Sequence, residues 1–297
     1  MSEGPLERGA LYVVATPIGN LGDLSPRALA VLRGVDWIAA EDTRHSGVLL
    51  TRFGIDVPLI SAHAHNERGR AEDLVARLEA GGTGALIVDA GSPGISDPGA
   101  RIVRRVAEAG RPVRVVPGPS AVVAALSLSG FSADAFTFAG FLPPKDAARD
   151  TRLAALLARG ETVVVYEAPH RVRATLEALA RLAPGRPMVA CRELTKLHEE
   201  TLRGDATAIL ARLTAERERG EWVLVVAGAG GTPAAEAEAG AADATGTAAG
   251  GGGAPDEDPR ARFIAAQVES GASPDEARRR AEFVLGPERR RRGKERA

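Results

Sequence analysis

Several short stretches concentrate residues suited to holding a ligand. Residues 89–99, DAGSPGISDPG, join glycines, prolines and the carboxylates of Asp89 and Asp97 in one turn. Glycine lets a backbone approach a ligand closely, and proline fixes the shape of a turn. A plain connection between two elements needs roughly 2–6 residues, so this longer turn points to a bound ligand. In it Ser92, Pro93, Ile95 and Ser96 lie between the two acids, and Asp97 is expected to cap a helix starting at Pro98. Residues 117–120, Pro117-Gly118-Pro119-Ser120, fit a helix start and an anion site equally well.

Three more stretches carry polar groups. Residues 16–20 form the turn Thr16-Pro17-Ile18-Gly19-Asn20, and Glu41 to His45 hold two acids, Arg44 and an imidazole. Residues 166–171, Tyr166-Glu167-Ala168-Pro169-His170-Arg171, set an acid, an imidazole and a guanidinium after an apolar run. The plain alternative there is a solvated helix start, with Glu167 at the positive end of the dipole. Residues 192–200 are dense in charge, with Arg192, Glu193 and Lys196 leading. Glu167, His170, Glu193 and Lys196 are the candidates for a general base, and the sequence does not rank them. His63, His65, His170 and His198 lack a thiol or carboxylate pattern at ligand spacing, so no metal site is expected. Cys191, the one cysteine, ends an apolar run and reads as a buried, inert thiol.

These groups need a frame. Apolar runs at 11–15, 35–40, 58–61, 85–89, 113–116, 136–140, 162–166, 188–191 and 222–227 read as strands. Helical patterns lie at 26–33, 67–78, 98–109, 120–129, 148–158, 170–182 and 207–215. Strand and helix in alternation imply an α/β fold with largely parallel sheets. In such folds ligands sit beyond the carboxyl ends of the strands, where these turns emerge.

Composition sets outer bounds. The chain has 297 residues and a formal net charge of −1, which argues against a globally basic nucleic-acid binder. A single cysteine permits no internal disulfide, no apolar run is long enough for a membrane span, and residues 1–9 lack a signal core. A cytoplasmic protein is expected. No G-x-x-x-x-G-K-[ST] or G-x-G-x-x-G motif is present, and VLVVAGAGG at 223–231 leads into low complexity instead of a helix. From Gly228 the chain turns to alanine, glycine and acid, which reads as a flexible linker over 229–259. Residues 260–297 then hold a possible short helical segment and an arginine-rich tail.

TPIGNLGD, EDTR, DAGSPGISDPG, VVPGPSAVV, EAPHR and RELTK, in this order, resemble the tetrapyrrole-methylase superfamily, the class III methyltransferases. The nearer likeness is to the branch acting on small-subunit ribosomal RNA, and it spans most of 11–228. The resemblance implies two α/β domains, 1–117 and 118–228, with S-adenosylmethionine in the interdomain cleft and a homodimeric assembly. It implies 2′-O-methylation of a cytidine in the decoding region of 16S rRNA within the small ribosomal subunit. It assigns Asp89, Ser92, Pro93, Ile95, Ser96, Asp97, Pro117, Gly118, Ser120 and Tyr166 to the cofactor. It assigns Pro17, Gly19, Asn20, Glu41, Arg44, Arg171 and Arg192 to the RNA side. Members continue into a short helical module, and residues 273–291 stand where it would be, beyond an atypical linker. Two alternatives fit the same fold: a tetrapyrrole-type small-molecule methyltransferase and a non-catalytic ribosome-assembly factor.

Overall fold

A computed structural model describes residues 5–229 together with Ser273, Pro274 and Arg278. The linker and tail expected at 229–259 and 260–297 lie, apart from those positions, outside the described residues. Residues 5–229 fall in one compact unit.

The first half is a parallel sheet in the order β3-β2-β4-β1-β5. Its strands are β1 (Leu11–Val14), β2 (Trp37–Ala40), β3 (Leu59–Ser61), β4 (Gly84–Ile87) and β5 (Val113–Val116). Four helices connect them: α1 (Pro26–Gly34), α2 (Thr43–Arg52), α3 (Glu67–Glu79) and α4 (Ala100–Glu108). β2 and β4 are buried along their whole length, as strands covered by helices on both faces must be. One apolar layer joins Val31, Leu32, Ile38 and Ile87. The other, across the sheet, joins Leu11, Leu74, Leu78 and Ile102. Gly84 allows the close packing at the sheet's lower edge, because a Cβ there would fall 2.1 Å from the Trp37 ring.

The second half follows α5 (Ala121–Ser129). Its sheet runs β6-β7-β10-β8-β9, from β6 (Phe136–Phe141), β7 (Thr162–Glu167), β8 (Met188–Arg192), β9 (Glu200–Gly204) and β10 (Trp222–Val226). Helices α6 (Asp146–Leu157), α7 (Val172–Leu182) and α8 (Ala206–Arg212) complete it. The expectation of largely parallel sheets fails here. Only β6 and β7 pair in parallel, while β10 runs antiparallel to both neighbours and β8 to β9. β10 fills the gap that the β7-α7-β8 crossover leaves. Its first residue therefore lies beside the carboxyl ends of β7 and β8: Trp222 pairs with both Glu167 and Arg192.

Two elements escaped the sequence reading. In α2 the glycine Gly47 weakens the helical pattern. β9 buries only Leu202 and so lacks an apolar run. A third difference concerns α4. It begins at Ala100 with Gly99 as N-cap, at φ 129°, so Asp97 does not cap it. The cap comes from Glu67 on α3, whose buried carboxylate accepts from the backbone N–H of Gly99 (2.9 Å) and Arg101 (3.0 Å). That use of the buried acid frees Asp97 to face the neighbouring cavity.

Candidate active site

The carboxyl ends of β1, β4 and β7 and the start of β10 enclose a cavity of about 420 Å³, a size usual for small-ligand sites. One wall is the 89–99 turn, with Asp89, Ser92, Ile95, Ser96 and Asp97 on the surface of the cavity. This turn is tied to the 16–20 turn. Thr16 and Gly91 exchange backbone hydrogen bonds (2.9 and 3.1 Å), and the buried Thr16 hydroxyl donates to the Val88 carbonyl. Gly91 and Gly94 both stand at φ 81°, and Ser96 is held at φ 65° without being glycine. The other non-glycine residues with positive φ among those described are Glu193 and Thr195, next to the same site. Backbone strain gathers where a surrounding structure holds a functional geometry.

The opposite wall is more apolar. Ile18, Ala121, Phe141, Tyr166, Leu194 and Val223 line it, with Ser120 beside Ala121. Ser120 accepts from Val123 N–H as the N-cap of α5. Tyr166 packs edge-on against Phe138 and Phe141, at ring-centroid distances of 4.8 and 5.6 Å. Burial, with the nearby Asp97, pushes its hydroxyl pKa up to about 12, so it stays a neutral donor. Cys191 is buried beneath this wall and burial pushes its thiol up to about 11.

Acids dominate the polar part of the cavity: Glu41, Asp89, Asp97 and Glu221 all line it. Burial first, then the like charges of Glu41, Asp89 and Glu221, push Asp97 up to about 6. Burial and Asp89 also raise Glu41. Carboxylates crowded in this way disfavour their own ionised forms and favour a cationic guest.

A second cavity, of about 590 Å³, shares Ile18, Asp89, Ala90 and Glu221 with the first. Pro17, Gly19 and Lys196 line it from one side and α2 from the other. At the junction Lys196 Nζ donates to Glu193 Oε1 and Glu221 Oε2, each at 2.9 Å. These bonds raise the Lys196 pKa against its partial burial. Glu193, partly buried, is nonetheless held low by the Glu221 N–H and by Lys196. Gly19 permits this arrangement, since a Cβ there would meet the Lys196 Cγ at 2.4 Å.

Some of the sequence candidates stand elsewhere. Pro93 is buried beneath its turn, Pro117 is exposed, and Gly118 packs against Ala15, so none of the three lines either cavity. Glu167 borders the first cavity, but its carboxylate is occupied: it accepts from Ala168 N–H and the Thr175 hydroxyl and pairs with Arg171 at 3.2 Å. His170 is exposed and lines neither cavity. Arg171 braces the Leu142 and Pro143 carbonyls, and Arg192 the Arg219 carbonyl. Arg44 folds back onto Asp42 at the surface, holding that carboxyl well below the usual range. Asn20 accepts from Gly22 N–H as a local cap. The sequence reading missed Glu221, which sits in a run of charged residues with no visible strand partner, and the α2 wall. Among the described residues no group of His, Cys, Asp and Glu side chains is arranged to hold a metal ion.

The fold and this pair of cavities place the chain among known proteins. The family model for tetrapyrrole (corrin/porphyrin) methylases matches residues 10–210. A crystal structure of diphthine synthase has the same fold, with a TM-score of 0.59 at 13% identity, covering 77% of this chain and 93% of that one. The chain belongs to the tetrapyrrole methylase family.

Within that family the similarity is much higher to one group. The chain is 50% identical over 222 residues to ribosomal RNA small subunit methyltransferase I of Synechocystis sp., covering 74% of this chain and 80% of the relative. It is 49% identical over 224 residues to the protein of that name from Xylella fastidiosa, covering 74% and 82%. It falls with them in the ribosomal RNA small subunit methyltransferase I branch, and it is a methyltransferase.

Proposed function

We propose that this chain transfers a methyl group from S-adenosylmethionine to the 2′-hydroxyl of a cytidine in the decoding region of 16S rRNA. The observation that carries the cofactor assignment is the ring of acids in the first cavity. S-adenosylmethionine is cationic, and Glu41, Asp89, Asp97 and Glu221 surround a space of suitable size with an apolar far wall. In this reading the 89–97 turn, Ser120, Ala121 and Tyr166 hold the cofactor. When bound, it supplies a methyl group already activated by its sulfonium. Calorimetry tests the assignment: micromolar binding of S-adenosylmethionine is expected, and no heat at millimolar ligand would sink it.

The chain's own work is then positioning and charge control. Lys196 stands at the junction of the two cavities and is held protonated. As an ammonium it is suited to hold the acceptor oxygen and to stabilise negative charge that develops there. Glu221 lines both cavities and already bonds Lys196, which makes it our candidate to take the hydroxyl proton. Of the four earlier base candidates, Lys196 is thus retained in another role, Glu193 orients it, and Glu167 anchors the start of α7. Lys196→Met is expected to lower kcat by about 100-fold or more while S-adenosylmethionine affinity stays within twofold. An unchanged kcat rejects the role.

The RNA assignment draws on the names of the relatives, which specify the small ribosomal subunit. We place the enzyme in the cytoplasm, with the small subunit; no helix among the described residues is long and apolar enough to cross a membrane. We also propose a homodimer. α5 is rich in apolar residues, and its Val123 and Leu128 remain 59% and 37% exposed. A helix of that composition is ordinarily covered.

A further inference from the structure

The outer face of α2 takes no part in holding the cofactor, yet it is built for contact. His45, Val48, Leu49 and Arg52 recur at the spacing of one helical stripe, and all four line the second cavity. The opposite face supplies the buried Ser46 and Leu50. The helix therefore buries a serine and turns Val48 outward, 73% exposed. Leu21, on the facing turn, is also exposed at 42%. The apolar side chains form the middle of the stripe and the basic ones its ends.

The charges along this cavity are graded. At the N-terminal end of α2, Asp42 N–H donates to Asp89 at 3.4 Å, so the stripe begins beside the acidic wall shared with the first cavity. Arg52 closes the other end, roughly 14 Å away at 1.5 Å per residue. Among the described residues neither the Arg52 guanidinium nor the His45 ring has an ion-pair or hydrogen-bond partner.

We infer that the second cavity is the acceptor site for one nucleotide of single-stranded RNA, its base on Leu21, Val48 and Leu49 and the phosphate of the adjoining nucleotide at Arg52. This rests on the methyltransferase reading above and adds to it the recognition surface. A nucleotide matches the gradient in one direction. Its ribose hydroxyls donate to carboxylates, which places the sugar toward Asp89 and Glu221. The next phosphate along the strand is repelled there and attracted to the guanidinium. Unpaired bases in RNA are commonly held on flat apolar or aromatic platforms, and Val48 with Leu49 supplies such a platform without an aromatic ring.

The test uses the full chain and small ribosomal subunits from cells lacking this enzyme. Val48→Asp and Arg52→Ala change exposed side chains and leave the core intact. Each is expected to weaken equilibrium binding to the subunits by about tenfold, and Arg52→Ala to lower the slope of log affinity against log salt by about 0.7. S-adenosylmethionine affinity, titrated separately, stays within twofold in both variants. Arg152→Ala, an exposed arginine on α6 that lines neither cavity, serves as control and binds subunits as the parent does. Parental subunit binding by both α2 variants overturns the inference. So does an equal loss in the Arg152→Ala control. Failure of the parent chain to bind S-adenosylmethionine contradicts the cofactor reading instead, and leaves the subunit-binding comparison to decide the acceptor site.

Discussion

Asp97 illustrates how one side chain serves function against stability. Its pKa, raised from 3.8 to about 6, means that the folded protein holds an extra proton between those values. Stability falls as pH rises through that window, and above about pH 6 the full penalty of the ionised acid remains. Asp97→Asn is therefore expected to raise Tm at pH 8 by roughly 2–4 °C, with the gain gone below pH 4. The ligand dependence runs the other way. A cationic cofactor prefers the ionised acid, so parental affinity for S-adenosylmethionine falls as pH drops through about 6. The asparagine variant binds about tenfold more weakly at pH 8, and its affinity no longer depends on that titration. Calorimetry and thermal melts at pH 5 and 8 check both halves; a flat parental pH profile refutes the role of Asp97. That Asp89, Ser92, Ile95, Ser96 and Asp97 share a cavity wall was legible, because glycine, proline and paired acids are rarely spent on a simple connection. Glu221 was not, because its position depends on β10 running opposite to its neighbours. A guanidinium after a strand also serves to brace loop carbonyls, and Arg171 and Arg192 do so here.

Elements were read well where local pattern decides them and poorly where a distant partner does. Ser25 and Pro26 mark the start of α1, and the structure agrees, with Ser25 accepting from Ala28 N–H. The same logic placed a helix start at Pro98 and failed, since the capping carboxylate comes from Glu67, 32 residues earlier. Glu67→Ala would leave the buried Gly99 N–H without an acceptor, at about 1–3 kcal/mol, and the partly buried Arg101 N–H as well. A Tm lower by at least about 4 °C is expected, with weakened cofactor binding because the 89–99 turn loses its anchor. Glu67→Gln, which keeps an acceptor, should recover most of both. Equal losses in the two variants would show that the cap is not what holds the turn. The second sheet was misread as parallel because strand-helix alternation continues through it. The inserted β10, whose apolar run marks a strand but not its direction, and β9, which lacks an apolar run, break the rule.

The described residues form a pair of five-stranded sheets whose strand ends converge on adjoining cavities, one acidic and one edged with bases. The near-zero net charge of the chain hides this local separation. At this scale the exposed apolar residues of α5 predict self-association: sedimentation should show a dimer, and Val123→Asp should shift it to monomer at micromolar concentration. A parent chain that sediments as a monomer contradicts that proposal. Methyl transfer to RNA is what the paired cavities are proposed to do together. It is tested most directly by incubating the enzyme with small ribosomal subunits lacking the modification and S-adenosylmethionine carrying a labelled methyl group, then mapping the label. One 2′-O-methylcytidine in the decoding region of 16S rRNA is expected. Label on a base, at another ribose, or absent from the RNA would contradict it.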